Sequence, residues 1–182
     1  MTSELSTVVQ AIITDENEKY FFVQKSGETF RLKKDDTTAS LKIGDVVTGF
    51  LYENSSRKKV STLKIPEVTN ESYGWASVTQ VRKDLGVFVD IGLEDKDMVV
   101  SLDELPSMKE LWPKKNNRLY VTLIKDKKDR TWATMGDGQA LNEKVIRGHK
   151  GQLNKDLTGT VTQVRLVGTT IITPEGYKLF LH

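Results

Sequence analysis

One pentapeptide constrains this chain more than any other feature. Val78-Thr79-Gln80-Val81-Arg82 returns as Val161-Thr162-Gln163-Val164-Arg165, 83 residues later. Each copy is followed by a run that opens with glycine, at 86–91 and 168–173, and then by a further short apolar segment, at 97–101 and 177–182. The same elements in the same order at a domain-sized period mark an internal repeat. Val9-Gln10-Ala11-Ile12 takes the matching place in an earlier, more divergent copy.

The earliest copy has five segments with period-two alternation, at 8–13, 20–24, 29–32, 46–52 and 59–63. Turn chemistry separates them, as in Ser26-Gly27-Glu28 and Asn54-Ser55-Ser56. Five short strands in about 60 residues predict a small closed barrel, because an open sheet of that size leaves two unpaired edges. Pro66 ends the unit, and 67–71 reads as a linker.

The second copy repeats the pattern at 75–82, 86–91, 97–101, 118–125 and 131–135. Ser101 as a cap, Asp103 and Glu104 in a first turn, and Met108, Leu111 and Trp112 at helical spacing predict a short helix before the fourth strand. Pro106 and Pro113 confine it to a turn or two. Leu141, Val145 and Ile146 predict a connecting helix over 139–150. The expected fold is all-β: tandem five-stranded barrels with short connecting helices. The units are 1–66, 70–136, a connector at 137–152, and a third barrel at 153–182. Three strands cannot close such a barrel, so a C-terminal remainder of the same chain is expected beyond His182, the alternative being completion by another chain or by packing on the second unit.

Composition narrows the chemistry. There is no cysteine, and the two histidines are His149 and His182. Thiolate zinc sites, thiol nucleophiles and Ser-His-Asp catalysis are therefore set aside, and no cofactor, metal or small-molecule substrate is expected. No apolar run reaches the roughly 18 residues of a membrane span, and a cytoplasmic location is expected. The acidic run Asp90, Glu94, Asp95 and Asp97 matches no metal-loop spacing and reads as a solvated turn.

The net charge of +2 conceals segregation. Residues 82–104 hold three basic and seven acidic side chains, whereas 114–130 hold seven basic and two acidic. The basic group is Lys114, Lys115, Arg118, Lys125, Lys127, Lys128 and Arg130, and Arg57-Lys58-Lys59 is a smaller counterpart in the first copy. On strand 86–91, Val87, Val89 and Ile91 share one face, which leaves Phe88 and Asp90 on the other. An outward aromatic near a cationic loop suits single-stranded nucleic acid, whose bases stack while cations follow the phosphates.

Gly86-Val87-Phe88-Val89-Asp90-Ile91-Gly92 resembles the core segment of the S1 RNA-binding domain, an OB-type barrel. The likeness continues through Met98-Val99-Val100, Asp103-Glu104-Leu105, and Asp126 with Arg130 four residues on. This resemblance implies a stacking role for Phe88 and a polar, phosphate-contacting pair at Asp126 and Arg130. Leu85 stands in the place of a first aromatic and Val100 in the place of a histidine. In the first copy Phe22 matches the stacking residue, Glu53 with Arg57 matches the acid-to-arginine spacing, and Lys19 takes the first aromatic place. In the third, Val167 and Thr170 replace both aromatics, and His182, twelve residues after Thr170, matches the histidine. Several such barrels in tandem resemble the conserved virulence factor B family of bacterial RNA-binding proteins, which implies three barrels and a C-terminal winged helix.

The expected partner is single-stranded RNA, with single-stranded DNA as an alternative strand. It would be held by Phe88, Asp126, Arg130, Lys127, Lys128, Lys114, Lys115, Arg118, Phe22, Arg57 and His182. The expected role is non-catalytic and post-transcriptional. An array of barrels that docks other proteins is the competing reading.

Overall fold

The computed structural model describes residues 4–136, 138–146 and 155–182. The first barrel is built from β1 (Thr7–Glu16), β2 (Tyr20–Lys25), β3 (Glu28–Lys33), β4 (Val46–Glu53) and β5 (Lys59–Thr62). The second uses β6 (Gly74–Arg82), β7 (Gly86–Asp90), β8 (Met98–Ser101), β9 (Arg118–Lys125) and β10 (Thr131–Thr134). Both close in the same spatial order, first-second-third-fifth-fourth. The third and fifth strands pair in parallel, Arg31 with Val60 and Ala133 with Val100, which leaves neither barrel a free edge. These are two closed barrels in tandem, as the alternation predicts, and of the OB type that the S1 resemblance implies.

A third unit follows as an antiparallel sheet of β11 (Thr160–Arg165), β12 (Gly168–Ile172) and β13 (Lys178–Leu181). Leu181 occupies the sheet position that Val100 holds in the second barrel. It is 64% exposed where Val100 is fully buried, because no fourth and fifth strands cover this face among the described residues.

The repeat is visible in the hydrogen bonds. In all three units the first strand bulges at a threonine: Thr14, Thr79 and Thr162. Each threonine Oγ1 lies 3.3 Å from a second-strand carbonyl, that of Phe22, Phe88 and Thr170 respectively, and that of Thr79 lies closer still, at 2.7 Å, to Asp97. This sets the internal register and corrects the expectation from sequence. The segment equivalent to Val78-Thr79-Gln80 is Ile13-Thr14-Asp15, not the stretch beginning at Val9. A bulge adds one residue to one strand, so strict alternation cannot reveal it.

The first two barrels are welded together. On β4, Phe50, Leu51 and Tyr52 are buried in succession. Leu51 belongs to the core of the first barrel, with Val23, Phe30 and Leu32. Phe50 and Tyr52 point the other way and join the cluster of the second, with Val68, Val87 and Val121. The segment expected as a linker takes part in this. Val68 is buried, and the Thr69 carbonyl accepts from the Leu123 amide (3.0 Å) and the Thr122 hydroxyl (2.7 Å).

Two helix expectations need correction. Between β8 and β9 the chain makes two separate 3-10 turns, Leu102–Glu104 and Lys109–Leu111, because Pro106 between them cannot donate a backbone bond. The connecting helix α1 covers only Gln139–Glu143. The Ile146 amide donates to the Gly176 carbonyl at 2.8 Å, which draws the chain out of helix toward the third sheet. The remainder of the expected helix, and His149, lie outside the described residues.

Candidate nucleic-acid interface

Alternation on β7 buries Val87 and Val89 and leaves Phe88 half-buried on the outer wall, with Asp90 exposed beside it. The strand pairings extend this outer row to Gln80 on one side and to Val99 and Trp132 on the other. Trp132 and Phe88 are separated by one strand, which puts their backbones about 10 Å apart. The wall of the second barrel thus offers two aromatics with a valine between them.

The β9–β10 turn supplies the cations. Asp126 organises it: one carboxylate oxygen accepts the amides of Lys128 (2.8 Å) and Arg130 (3.0 Å). The other accepts Arg130 Nε at 2.7 Å and Trp132 Nε1 at 3.1 Å. These bonds to the charged form, led by those from Arg130, hold the Asp126 carboxyl well below the usual carboxylate range. Both oxygens are already engaged, so the role of Asp126 is to position Arg130, whose guanidinium lies 5.4 Å from the Trp132 ring centre. Lys127 and Lys128 are exposed at the tip.

The first barrel has the same turn one residue away from where sequence spacing places it. Asn54 Oδ1 accepts the amides of Ser56 (3.0 Å) and Lys58 (2.9 Å), the bonding that Asp126 gives to Lys128 and Arg130. The left-handed residues also correspond, Arg57 at φ +58° and Asp129 at φ +60°. Asn54 and Lys58 are therefore the counterparts of Asp126 and Arg130, and Glu53 with Arg57 are not. An asparagine oxygen caps the turn as well as a carboxylate does, which a search for acid-to-arginine spacing misses.

Phe22 occupies the place of Phe88, with Arg31 where the second barrel has Val99 and Val60 where it has Trp132. Tyr20 shares the outer face of β2 with Phe22, at the position of Gly86. The first barrel thus carries two outward aromatics on one strand and a cation beside them. The signal was present in the alternation of Tyr20, Phe22 and Gln24 against buried Phe21 and Val23.

Known families and structures share the fold of this chain. The family described as CvfB first S1-like domain matches residues 73–134, and the S1 domain family matches residues 7–64. YitL of Bacillus subtilis is 32% identical over 162 residues, covering 89% of this chain and 54% of that protein. Conserved virulence factor B of Staphylococcus epidermidis is 27% identical over 171 residues, with 90% and 55% covered. The chain carries two S1-like domains and is homologous to the conserved virulence factor B family. It spans about half the length of the curated relatives it matches. A crystal structure of a multidomain protein with nucleic acid binding domains from Streptococcus pneumoniae superposes with a TM-score of 0.91 at 40% identity, covering 98% of this chain and 62% of that one.

In this homologue the remaining sequence candidates are dispersed. Lys114, Lys115 and Arg118 lie at the start of β9, about 25 Å along the strand from Asp126. The basic stretch is not one patch. Arg118 sits over the Trp75 ring (5.3 Å) and, with Lys114 and Trp112, lines a groove of about 560 Å³ against β11. His182, one residue past β13, falls at the position of Ser101, not Val100, because the β12–β13 connection is one residue shorter than that between β7 and β8. It is exposed and packs edge-on against Phe180 at 4.9 Å. Val100 is a core residue, so the position named for a histidine faces inward.

The carboxylates at 90–97 have separate partners. Asp90 accepts from the Gly92 amide, Asp97 from the Thr79 hydroxyl, Asp95 from Tyr52 and Asn54, and Glu94 pairs with Lys33. Burial, with Asp95 adding to it, pushes the Tyr52 hydroxyl well above its ordinary pKa. Among the described residues, no group of three or more His, Asp or Glu side chains is arranged to hold a metal ion. Among them also, no helix is long and apolar enough to cross a membrane.

Proposed function

We propose that this chain is a non-catalytic RNA-binding protein that holds single-stranded RNA across the outer walls of its barrels and acts in post-transcriptional control in the cytoplasm. One observation carries the reading. Phe22 and Phe88 stand at the same outward position, each fixed by a threonine bulge and each beside a turn whose Asn54 or Asp126 presents a cation. Stacking accepts any base, so sequence selectivity is modest. Arg130, Lys127 and Lys128 in the second barrel, and Arg57 and Lys58 in the first, reach phosphates. Lys114, Lys115, Arg118 and His182 lie away from the Phe88 wall and contribute through a longer strand.

The Streptococcus pneumoniae structure, a multidomain protein with nucleic acid binding domains, supports this reading. Fluorescence anisotropy with a labelled single-stranded RNA at low salt tests it. Phe88→Ala weakens binding by about fivefold or more, the lower end of one lost base stack. Arg130→Ala makes the salt dependence shallower by about 0.7 in log–log slope, one phosphate contact on a single strand. No binding by the parent chain at low salt would overturn the proposal. A set of protein partners retained after nuclease treatment would favour the protein-docking alternative.

A further inference from the structure

The outer wall of the first barrel does not end at its own edge. Phe22, Arg31 and Lys58 share one shallow depression. Arg31 and Lys58 also line a cleft of about 640 Å³ between the two barrels, together with Tyr20, Lys33 and Lys64. Aromatic and cationic side chains therefore run without a break from Phe22 into the cleft. The opposing side is acidic, with Asp90, Glu94 and Asp95, and Asp36 of the first barrel adds a fourth carboxylate that balances the four cations.

Three of these carboxylates are committed to neighbours. Asp36 accepts from the Thr62 hydroxyl and the Leu63 amide and pairs with Lys64 at 3.7 Å within the first barrel, Asp90 accepts from the Gly92 amide, and Asp95 from Tyr52 and Asn54. Glu94 differs. Its side chain is 71% exposed, and it reaches across the cleft to Lys33 at 2.5 Å, an anion seated where a phosphate would sit.

We infer that the inter-barrel cleft is a further nucleic-acid subsite, continuous with the Phe22 wall, and that Glu94 holds the place of a phosphate on Lys33 until a strand displaces it. The ligand class is a single-stranded polynucleotide. A base stacks on Tyr20, and Arg31, Lys33, Lys58 and Lys64 follow the backbone. This rests on the RNA-binding reading above. An exposed ion pair is worth little, so its displacement costs a strand only a modest amount.

The test uses the full chain and a labelled single-stranded RNA, with an unlabelled DNA strand of the same sequence as competitor. Glu94→Gln frees Lys33 and tightens binding by about two- to fivefold, with the salt slope steeper by about 0.7. Lys33→Ala does the opposite, with weaker binding and a shallower slope. A bridge that merely held the barrels together would make both variants lose affinity alike, and that result overturns the inference. So does an unchanged affinity in both variants while Phe22→Ala still weakens binding, an outcome that leaves the RNA reading intact. Loss of RNA binding in the parent chain defeats the broader reading instead. Competition by the DNA strand as strong as by RNA assigns the cleft to single strands in general, and weaker competition assigns it to RNA; either supports a polynucleotide subsite.

Discussion

Replacing Asn54 by aspartate separates two jobs that one side chain performs. Its oxygen caps the β4–β5 turn, and its amide nitrogen donates to Asp95 Oδ2 of the second barrel at 2.8 Å. Aspartate preserves the cap, since Asp126 makes the same two bonds in the second barrel. It removes the donor and sets two carboxylates face to face. With charge centres roughly 4 Å apart, their repulsion is about 4 kcal/mol at an effective dielectric of 20 and about 1 kcal/mol in water. Asp95 is exposed, so the lower part of that range applies, about 1–2 kcal/mol. The lost hydrogen bond to a charged acceptor adds about 1.5 kcal/mol. Asn54→Asp is thus expected to destabilise the joined barrels by about 3 kcal/mol in urea unfolding at pH 7 and low salt. In 1 M salt, where the screening length is about 3 Å, the repulsive part fades and the hydrogen-bond part stays. A variant within about 0.5 kcal/mol of the parent at low salt, no more than an ordinary surface change, would show that Asp95 does not reach Asn54 and that the barrels are not coupled there.

Gly86 has φ +137°, and a Cβ there would collide with the Val100 carbonyl and lie 2.8 Å from the Leu102 nitrogen. Gly86→Ala is expected to cost at least about 1–3 kcal/mol and to lower the melting temperature of the second barrel measured by calorimetry. The depressed pKa of Asp126 gives a pH effect of known sign. Its contribution is fully present above the unfolded carboxylate range near pH 4 and is lost as pH falls through the lower folded value. Acid unfolding followed by circular dichroism should therefore shift to higher pH in a Trp132→Phe variant, which removes one hydrogen bond to the carboxylate. The same variant keeps an aromatic ring beside Arg130 and should retain most RNA affinity in anisotropy.

How much of this was legible in the sequence depended on the range of the interaction. The outward place of Phe88 is legible because alternation is local: Val87 and Val89 turn inward and leave it outside, while Phe22 is picked out in the sequence by its match to the family's stacking position. The turn in the first barrel is capped one residue beyond the acid that the spacing points to. The cap at Asn54 is chemically equivalent to a carboxylate yet differs in letter, and spacing rules follow letters. Tyr20 and Arg31 each alternate outward, yet neither stands at a motif position. Trp132 became meaningful only when the parallel pairing of β10 with β8 set it one strand from Phe88.

By itself the amino-acid order determined the local and repeated features of this protein: short alternating strands, glycine where β7 and β12 begin, a capped turn before the last strand, and therefore two OB-type barrels. Side-chain alternation and turn capping act within a few residues, and each copy of the repeat spells them out again. Tertiary structure alone decided which outward residues share a surface. It divided the basic stretch between opposite ends of β9 and turned Phe50 and Tyr52 into the seam between barrels. It also laid Lys33 against Glu94, 61 residues away in the chain. Closure of a barrel sets such neighbours through pairing register and interface packing, which depend on all five strands at once.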